Sequence, residues 1–188
     1  MRKWLFTAAI MLVTTPAFAA EWNVDPLTSK LLFTGEHAGE KFSGSFPKFT
    51  SMIDFDEAAP EKGAIRITID MSKLQVDGKD RLDALPTDDW FAVSKFPTAE
   101  FTSTSIKPTG SDKTGVNSFL AKGTLTIRGL SRDIDLPFSL KTNGNATVAR
   151  GTLTLNRNDF GVGQGRWTSE EWVKYAVGVS FELHASKK

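Results

Sequence analysis

The last segment of the chain, from residue 173 onward, alternates apolar and polar side chains with a period of two. The apolar members are Val173, Tyr175, Val177, Val179, Phe181 and Leu183. Side chains of a β-strand alternate between its two faces, so this pattern predicts a strand with one dry face and one wetter face. Similar runs recur along the chain, whereas no amphipathic helical pattern of comparable length is found. The sequence therefore predicts an all-β protein.

Short polar turns separate the successive alternating runs, which favours antiparallel pairing of neighbouring strands. About eight such strands, each dry on one face, have to close into a barrel or stack as a sandwich to hide their edges. We favour an eight-stranded antiparallel barrel, because the last two strands are long enough to wrap. A barrel of this size either fills its interior with side chains or leaves room for one small ligand.

The parity of the strands also predicts which side chains face the barrel interior. Hydrophobic residues make up 40% of the chain and 14 of its residues are Phe, which is ample for a core. We expect one continuous apolar cavity lined by Phe33, Ile53, Phe55, Ile67, Ile69, Phe101, Leu125 and Ile127.

Two segments lack strand alternation: 72–97, which is apolar, and 158–171, an irregular flap with aromatic residues at Phe160 and Trp167. In the first, Arg81–Leu85 is predicted to form a helical turn that Pro86 ends, and Thr87 is predicted to be the N-cap of a second short helix. Long irregular connections of this kind are often functional. We expect the first segment to be a lid that contacts a ligand; plugging the barrel end is the alternative for both segments.

Residues 1–19 have the organisation of an export signal. Arg2 and Lys3 precede an apolar stretch, and the sequence Ala17-Phe18-Ala19 forms an A-x-A cleavage pattern. The stretch is shorter than the roughly 20 apolar residues that a membrane-spanning helix needs. We therefore expect cleavage after Ala19 and a single mature domain, 20–188, in the periplasm. A membrane anchor or a buried N-terminal helix is the alternative.

Composition narrows the classes of function. The chain has no cysteine, which excludes disulfides, thiolate metal sites and cysteine nucleophiles. Removing Arg2 and Lys3 changes the formal net charge from +1 to −1. A near-neutral chain with interleaved charges offers no electrostatic footprint for nucleic acid.

Catalytic equipment is sparse. The chain has 2 histidines, His37 and His184, which lie far apart in sequence. His37 is expected at a barrel rim and His184 in solvent, since neither has an evident catalytic partner nearby. The motifs of serine hydrolases, zinc proteases and calcium loops are absent from the sequence. We expect no metal, no cofactor and no enzymatic activity.

Several motifs, taken in order, resemble the YceI family of periplasmic proteins. They are His37-Ala-Gly-Glu-Lys-Phe-Ser-Gly-Ser-Phe, Ile53-Asp-Phe-Asp, Trp90-Phe-Ala-Val-Ser-Lys-Phe-Pro-Thr-Ala-Glu-Phe-Thr-Ser, Gly123-Thr-Leu-Thr-Ile-Arg-Gly-Leu-Ser-Arg and Asn156-Arg-Asn-Asp-Phe-Gly-Val-Gly. The resemblance covers roughly Trp22 to Ala185. The stretch Gly161-Val-Gly-Gln-Gly-Arg-Trp is similar to the members associated with cytochromes of the b561 type.

This resemblance implies an extended lipocalin-like barrel that binds a polyisoprenoid or a similar long-chain amphiphile. The cytochrome-associated members imply a quinone-like ligand and a membrane cytochrome as a partner; a homodimer is also kept open. Candidate ligand-contacting residues are the aromatic and aliphatic side chains of the walls and lid, with His37 at the rim: Phe33, His37, Phe46, Phe49, Phe55, Ile67, Ile69, Leu82, Leu85, Trp90, Phe91, Phe101, Leu125, Phe160 and Trp167.

Three functions stay open on the sequence alone. The first is a periplasmic carrier or sequestering protein for an isoprenoid lipid, whose polar head would need only one or two donors, such as His37, Arg81 or Arg166. The second is a stress-related or cytochrome-partner interaction module. The third, an enzyme acting on a bound lipid, is disfavoured by the few acid and base groups.

Overall fold

The computed structural model describes residues 21–188, so the predicted leader lies outside the described residues. Within this range the chain forms eleven strands and one short α-helix, α1 (Lys79–Ala84). The strands are β1 (Glu21–Val24), β2 (Lys30–His37), β3 (Glu40–Ser45), β4 (Phe49–Asp54), β5 (Ala64–Asp70), β6 (Gln75–Val76), β7 (Thr98–Ser111), β8 (Asn117–Ile127), β9 (Leu130–Asn143), β10 (Ala146–Asn156) and β11 (Ala176–Lys187). Among these residues, no helix is long and apolar enough to span a membrane.

The strands close into an antiparallel barrel of eight long strands. The first three of these are each interrupted once, giving β1 with β2, β3 with β4, and β5 with β6. The ring closes because β11 pairs with β10 on one side and with both β1 and β2 on the other. Trp22 lies opposite Lys187, and Leu31 lies opposite Phe181. The predicted eight-stranded barrel is confirmed, and the sandwich is not adopted.

The barrel has two ends of different composition. The lid end carries the turns at 38–39 and 128–129 and the long segments 77–97 and 157–175. The terminal end carries the first and last described residues and the connection 55–63. The two irregular segments predicted from the sequence therefore lie at the same end of the barrel.

An aromatic cluster closes the terminal end. The ring of Phe55 meets Phe119 edge-on at 5.2 Å and Phe138 at 6.1 Å between ring centres. The indole Nε1 of Trp22 donates to the Phe55 carbonyl oxygen at 2.8 Å. Aromatic side chains bury large areas and favour such edge-on arrangements, so this cluster seals the interior from below.

The part of the lid end that follows α1 is built from turns. Within 87–96 the expected second helix does not form, and Thr87 is not an N-cap: its hydroxyl instead donates back to the Ala84 carbonyl oxygen at 2.7 Å. The backbone amides of Trp90 and Ala92 both donate to the Thr87 carbonyl oxygen. Tertiary packing of Leu85 and Trp90, which are 7% and 8% exposed, outweighs the local helical signal.

Hydrogen bonds join the two segments of the lid end to each other. The carbonyl oxygen of Asp89 accepts from the amides of Gly163 at 2.9 Å and Gln164 at 2.6 Å. The guanidinium of Arg128 donates to the Asp88 carbonyl oxygen at 2.6 Å. Segments 77–97 and 157–175 therefore form one cover over this end of the barrel.

Candidate functional site

The barrel encloses an apolar cavity of about 150 Å³. Inward-facing side chains of the long strands form its wall, as their parity predicts. They are Trp22, Val24, Leu31, Phe49, Ile53, Phe55, Ile65, Ile67, Ile69, Phe101, Leu125, Ile134, Leu136, Phe138, Leu140, Thr147, Ala149, Leu153, Leu155, Val179, Phe181, Leu183 and Ala185.

Thr147 supplies the one polar side chain among these lining residues. It is 7% exposed, and its hydroxyl lies 2.9 Å from the hydroxyl of Thr142. Thr142 in turn donates to the carboxylate of Glu57, which also accepts from the Asn117 side chain at 2.6 Å. The hydroxyl of Thr147 is thus already hydrogen-bonded within the protein, and the rest of the wall can offer a ligand only apolar contact.

The hydrogen-bonded wall is incomplete between β9 and β10. Their pairing runs from Ala146 opposite Asn143 to Gly151 opposite Phe138 and stops there. Beyond that point β9 stays paired with β8, and β10 stays paired with β11. The next residue of β9 is Pro137, which has no backbone N–H and cannot continue the ladder. We call the unpaired stretch, with 130–137 on one side and 152–156 on the other, the β9–β10 gap.

Six of the candidate ligand-contacting residues lie on the cavity wall. They are Phe49, Phe55, Ile67, Ile69, Phe101 and Leu125. Ile53 also lines the cavity, as expected, but Phe33 and Ile127 are not part of the lining. Phe33 instead packs against Phe46, with 5.0 Å between ring centres, over the space that Gly44 leaves free. Ligand contact by the six wall residues stays a prediction.

The candidates in the lid end form a packed plug above the cavity. Leu85, Trp90 and Phe160 are buried, and Phe91 meets Phe46 edge-on at 6.5 Å. None of these four belongs to the lining. Their burial matches the plug alternative more closely than a lid whose side chains reach a ligand. Leu82 differs, because it is 43% exposed and does not belong to the buried face of the cover.

The polar candidates are divided between two places. His37 is half-buried and lies 6.2 Å from the ring of Trp167, and the Arg166 guanidinium covers the same indole at 4.5 Å. Arg81 instead lies over the ring of Phe42 at 4.9 Å. None of these side chains lines the cavity, so each can act only outside it.

A buried arginine, missed as a key residue by the sequence reasoning, organises the cover. Arg157 is 4% exposed, and its guanidinium donates to Asn158 Oδ1 and to a set of backbone carbonyl oxygens. These belong to Val162, Gly163, Trp167, Ser169, Val173 and Lys174. Burial lowers the pKa of Arg157, while Tyr175 and Glu170 oppose that change. The sequence did contain a signal for this role. Arg157 is a charged residue that lies directly between an alternating strand and a glycine-rich loop, within Asn156-Arg-Asn-Asp-Phe.

The family model of the YceI-like domain matches residues 22–185 of this chain. This chain belongs to the YceI-like family. The match covers almost all of the described residues and confirms the resemblance drawn from the ordered motifs.

Two YceI-like relatives each align with 144 residues of this chain. The chain is 31% identical over 144 residues to Protein YceI of Salmonella arizonae, spanning 74% of this chain and 72% of that protein. It is 28% identical over 144 residues to UPF0312 protein plu2095 of Photorhabdus laumondii, spanning 74% of this chain and 71% of that protein.

Solved structures share the same architecture. BcnA of Burkholderia cenocepacia superposes with a TM-score of 0.81 at 29% identity, covering 87% of this chain and 100% of that one. A polyisoprenoid binding domain from Saccharophagus degradans superposes with a TM-score of 0.67 at 15% identity, covering 91% and 99%. At that identity the second likeness shows the fold alone.

Proposed function

We propose that this YceI-like protein binds the hydrocarbon chain of a polyisoprenoid, or of a similar long-chain amphiphile, inside its barrel and carries it without turnover. The observation that carries this proposal is the cavity wall, in which Thr147 is the one polar side chain. A saturated or isoprenoid chain makes no hydrogen bonds, so its affinity comes from removing apolar area from water, at about 25 cal/mol per Å². The related fold in Saccharophagus degradans, described as a polyisoprenoid binding domain, supports the same class of ligand.

The wall also restricts the head group. A charged diphosphate or carboxylate placed in the cavity would lose its water without gaining an ion pair, because the lining residues include no cation. The head group of the proposed ligand therefore stays outside the barrel, or is neutral, as in a quinone. His37, Arg81 and Arg166 are the residues we propose for an external contact.

The volume of about 150 Å³ sets a condition on this binding. Pockets for drug-sized ligands commonly have about 300 to 1,000 Å³. A chain of several isoprene units therefore needs the barrel to widen. We expect the wall to move where neighbouring strands share the fewest hydrogen bonds. The proposal thus includes a barrel that expands on loading.

The proposed setting of the carrier is the periplasm, reached through the leader expected at residues 1–19. A membrane cytochrome that uses a quinone is the proposed partner, on the strength of the motif resemblance at 161–167. Both statements depend on sequence motifs, whereas lipid binding depends on the cavity.

The decisive experiment is lipid analysis of the native protein. The full chain is expressed in a Gram-negative host with its own leader, purified without detergent, and examined by native mass spectrometry and by mass spectrometry of an organic extract. We expect one lipid per barrel, with a long apolar chain. A protein that stays empty and takes up neither a prenol nor a quinone from vesicles would contradict the proposal. Chemical conversion of the bound lipid would show an enzyme instead.

A further inference from the structure

The β9–β10 gap opens the wall of the barrel beside the cavity. Ile134 and Leu136 on β9, and Leu153 and Leu155 on β10, flank the gap and all four line the cavity. Each of them is half-buried, although each belongs to the inward parity of its strand. Apolar side chains of both gap edges are therefore continuous with the interior wall.

The gap has defined boundaries along the strands. At one boundary β9 and β10 approach closely, since a Cβ atom on Gly151 would lie 2.6 Å from the carbonyl oxygen of Pro137. At the other, the turn Arg157–Phe160 begins, Phe160 is 2% exposed, and a Cβ atom on Gly161 would contact Leu130. The gap is thus a window in the side of the barrel, closed above and below.

Two other breaks in the wall are covered, and a third lies between the turn 25–29 and residues 47–52, because β1 pairs with β4 only at Glu21 opposite Asp54 and Trp22 opposite Ile53. β6 and β7 do not pair, but the segment 77–97 lies there, and the Met71 amide donates to the Pro97 carbonyl oxygen at 2.9 Å. The end of β2 is joined to the segment before β11, because the Lys174 amide donates to the Glu36 carbonyl oxygen at 3.0 Å. The terminal end is sealed by Phe55, Phe119 and Phe138.

We infer that the hydrocarbon chain enters and leaves the barrel sideways, through the β9–β10 gap, and not through either end. This inference rests on the proposed function and names the route to the same cavity. Separating two strands costs least where no ladder hydrogen bonds join them, because no backbone group then loses its partner. The same edges can spread to admit a chain longer than the resting cavity holds.

The test is to bridge the gap chemically, which the absence of cysteine in the chain makes clean. The continued register places Asp135 opposite Thr154, both exposed on the outer face, so Asp135→Cys and Thr154→Cys are introduced together and linked by a short bifunctional thiol-reactive reagent such as dibromobimane or bismaleimidoethane. Uptake of farnesyl anthranilate from phosphatidylcholine vesicles is followed by energy transfer from tryptophan, since Trp22 lines the cavity. We expect bridging to slow uptake at least about tenfold relative to the unbridged double variant.

Two controls locate the effect. Lys141→Cys with Val148→Cys bridges the same two strands where they are already paired, and we expect no change in rate. Asp89→Cys with Gln164→Cys bridges the two segments of the cover, and again we expect no change. If bridging the cover slows uptake and bridging the gap does not, the inference is overturned, and the lipid chain enters through the lid end.

A variant without cross-links tests the cause of the gap. Pro137→Thr restores a backbone N–H on β9, so the ladder can extend toward Thr152. We expect slower uptake and slower release with unchanged equilibrium occupancy; wild-type rates in both this variant and the bridged protein would overturn the inference while leaving lipid binding intact. A wild-type protein that takes up no farnesyl anthranilate overturns both the route and the proposed function, and this result is visible before any bridge is made.

Discussion

The guanidinium carbon of Arg157 lies 5.7 Å from the centre of the Trp90 ring, so one buried cation joins the two segments that cover the lid end. The same carbon lies 5.2 Å from the ring of Tyr175. Stacking on aromatic faces and a fan of planar donors are properties of arginine that lysine lacks. The cover is therefore held by an arginine whose partners are carbonyl oxygens and rings.

The first prediction concerns this arginine. In Arg157→Lys, three ammonium donors replace the planar fork, so several buried carbonyl oxygens lose their partners. We expect the free energy of unfolding to fall by about 2–4 kcal/mol, measured by urea denaturation, with earlier proteolysis within 157–175. Arg166→Lys is the matched control, because Arg166 is exposed. Equal stability of the two variants would contradict the role given to Arg157.

The second prediction separates two leucines of the cover. Leu85→Asp places an unpaired charge at a position that is 7% exposed, and we expect a loss of several kcal/mol in the free energy of unfolding. Leu82→Asp, at a position that is 43% exposed, should change it by less than about 0.5 kcal/mol. Thermal unfolding of both single variants checks this. If Leu82→Asp proves as damaging as Leu85→Asp, α1 packs differently from the structure.

The third prediction fills the cavity. Ala149 lies on the cavity wall, so the added ring in Ala149→Phe would occupy space that a lipid chain needs. We expect bound lipid, measured by native mass spectrometry, to drop at least about tenfold, while the protein stays folded. Ala146→Phe, at an exposed position on the same strand, should retain its lipid. Full occupancy in Ala149→Phe would place the ligand elsewhere.

The fourth prediction concerns acid. The hydroxyl and amide of Ser43 donate to the carboxylate of Asp77, and these hydrogen bonds lower the pKa of Asp77 from 3.8. A carboxyl group whose pKa is lower in the folded state stabilises the fold above its unfolded pKa, and this contribution is lost as the pH falls through the folded value. Ser43→Ala should therefore lower the urea midpoint near pH 6, with a difference that shrinks below about pH 4. The exposed Ser94→Ala should show no such pH dependence.

The fifth prediction concerns the leader. If residues 1–19 are an export signal, the intact mass of periplasmic material corresponds to a chain that begins at Ala20. Replacing Ala17 and Ala19 by bulky residues should block processing, because the cleavage enzyme accepts small side chains there. Periplasmic protein that retains Met1 would contradict the prediction.

The sequence predicted the barrel well because alternation is a local signal that repeats in every strand. Ile65, Ile67 and Ile69 show this: all three face the cavity, as their parity requires. The interruptions after β1, β3 and β5 left the alternation on either side intact, so they did not disturb the interpretation.

The sequence predicted the site less completely, because burial at the barrel ends depends on tertiary contacts. Phe33 has the parity of a wall residue, yet it packs on Phe46 below the cover. Leu82 looks as apolar as Leu85, but the short helix turns it toward solvent. Pro137 was the available signal for the gap, since a proline inside an alternating run marks a sheet edge; it went unused in the sequence reasoning.

The pairing of β11 with β1 and β2 has a consequence for how the chain folds. Phe181 and Leu31 face each other across this seam, and so do Lys187 and Trp22. Contacts between residues this distant in sequence slow folding, since a long loop must close before they form. The barrel can acquire its last seam only when β11 docks beside β1 and β2, so a chain in which β11 has not yet docked is an open sheet with two exposed edges.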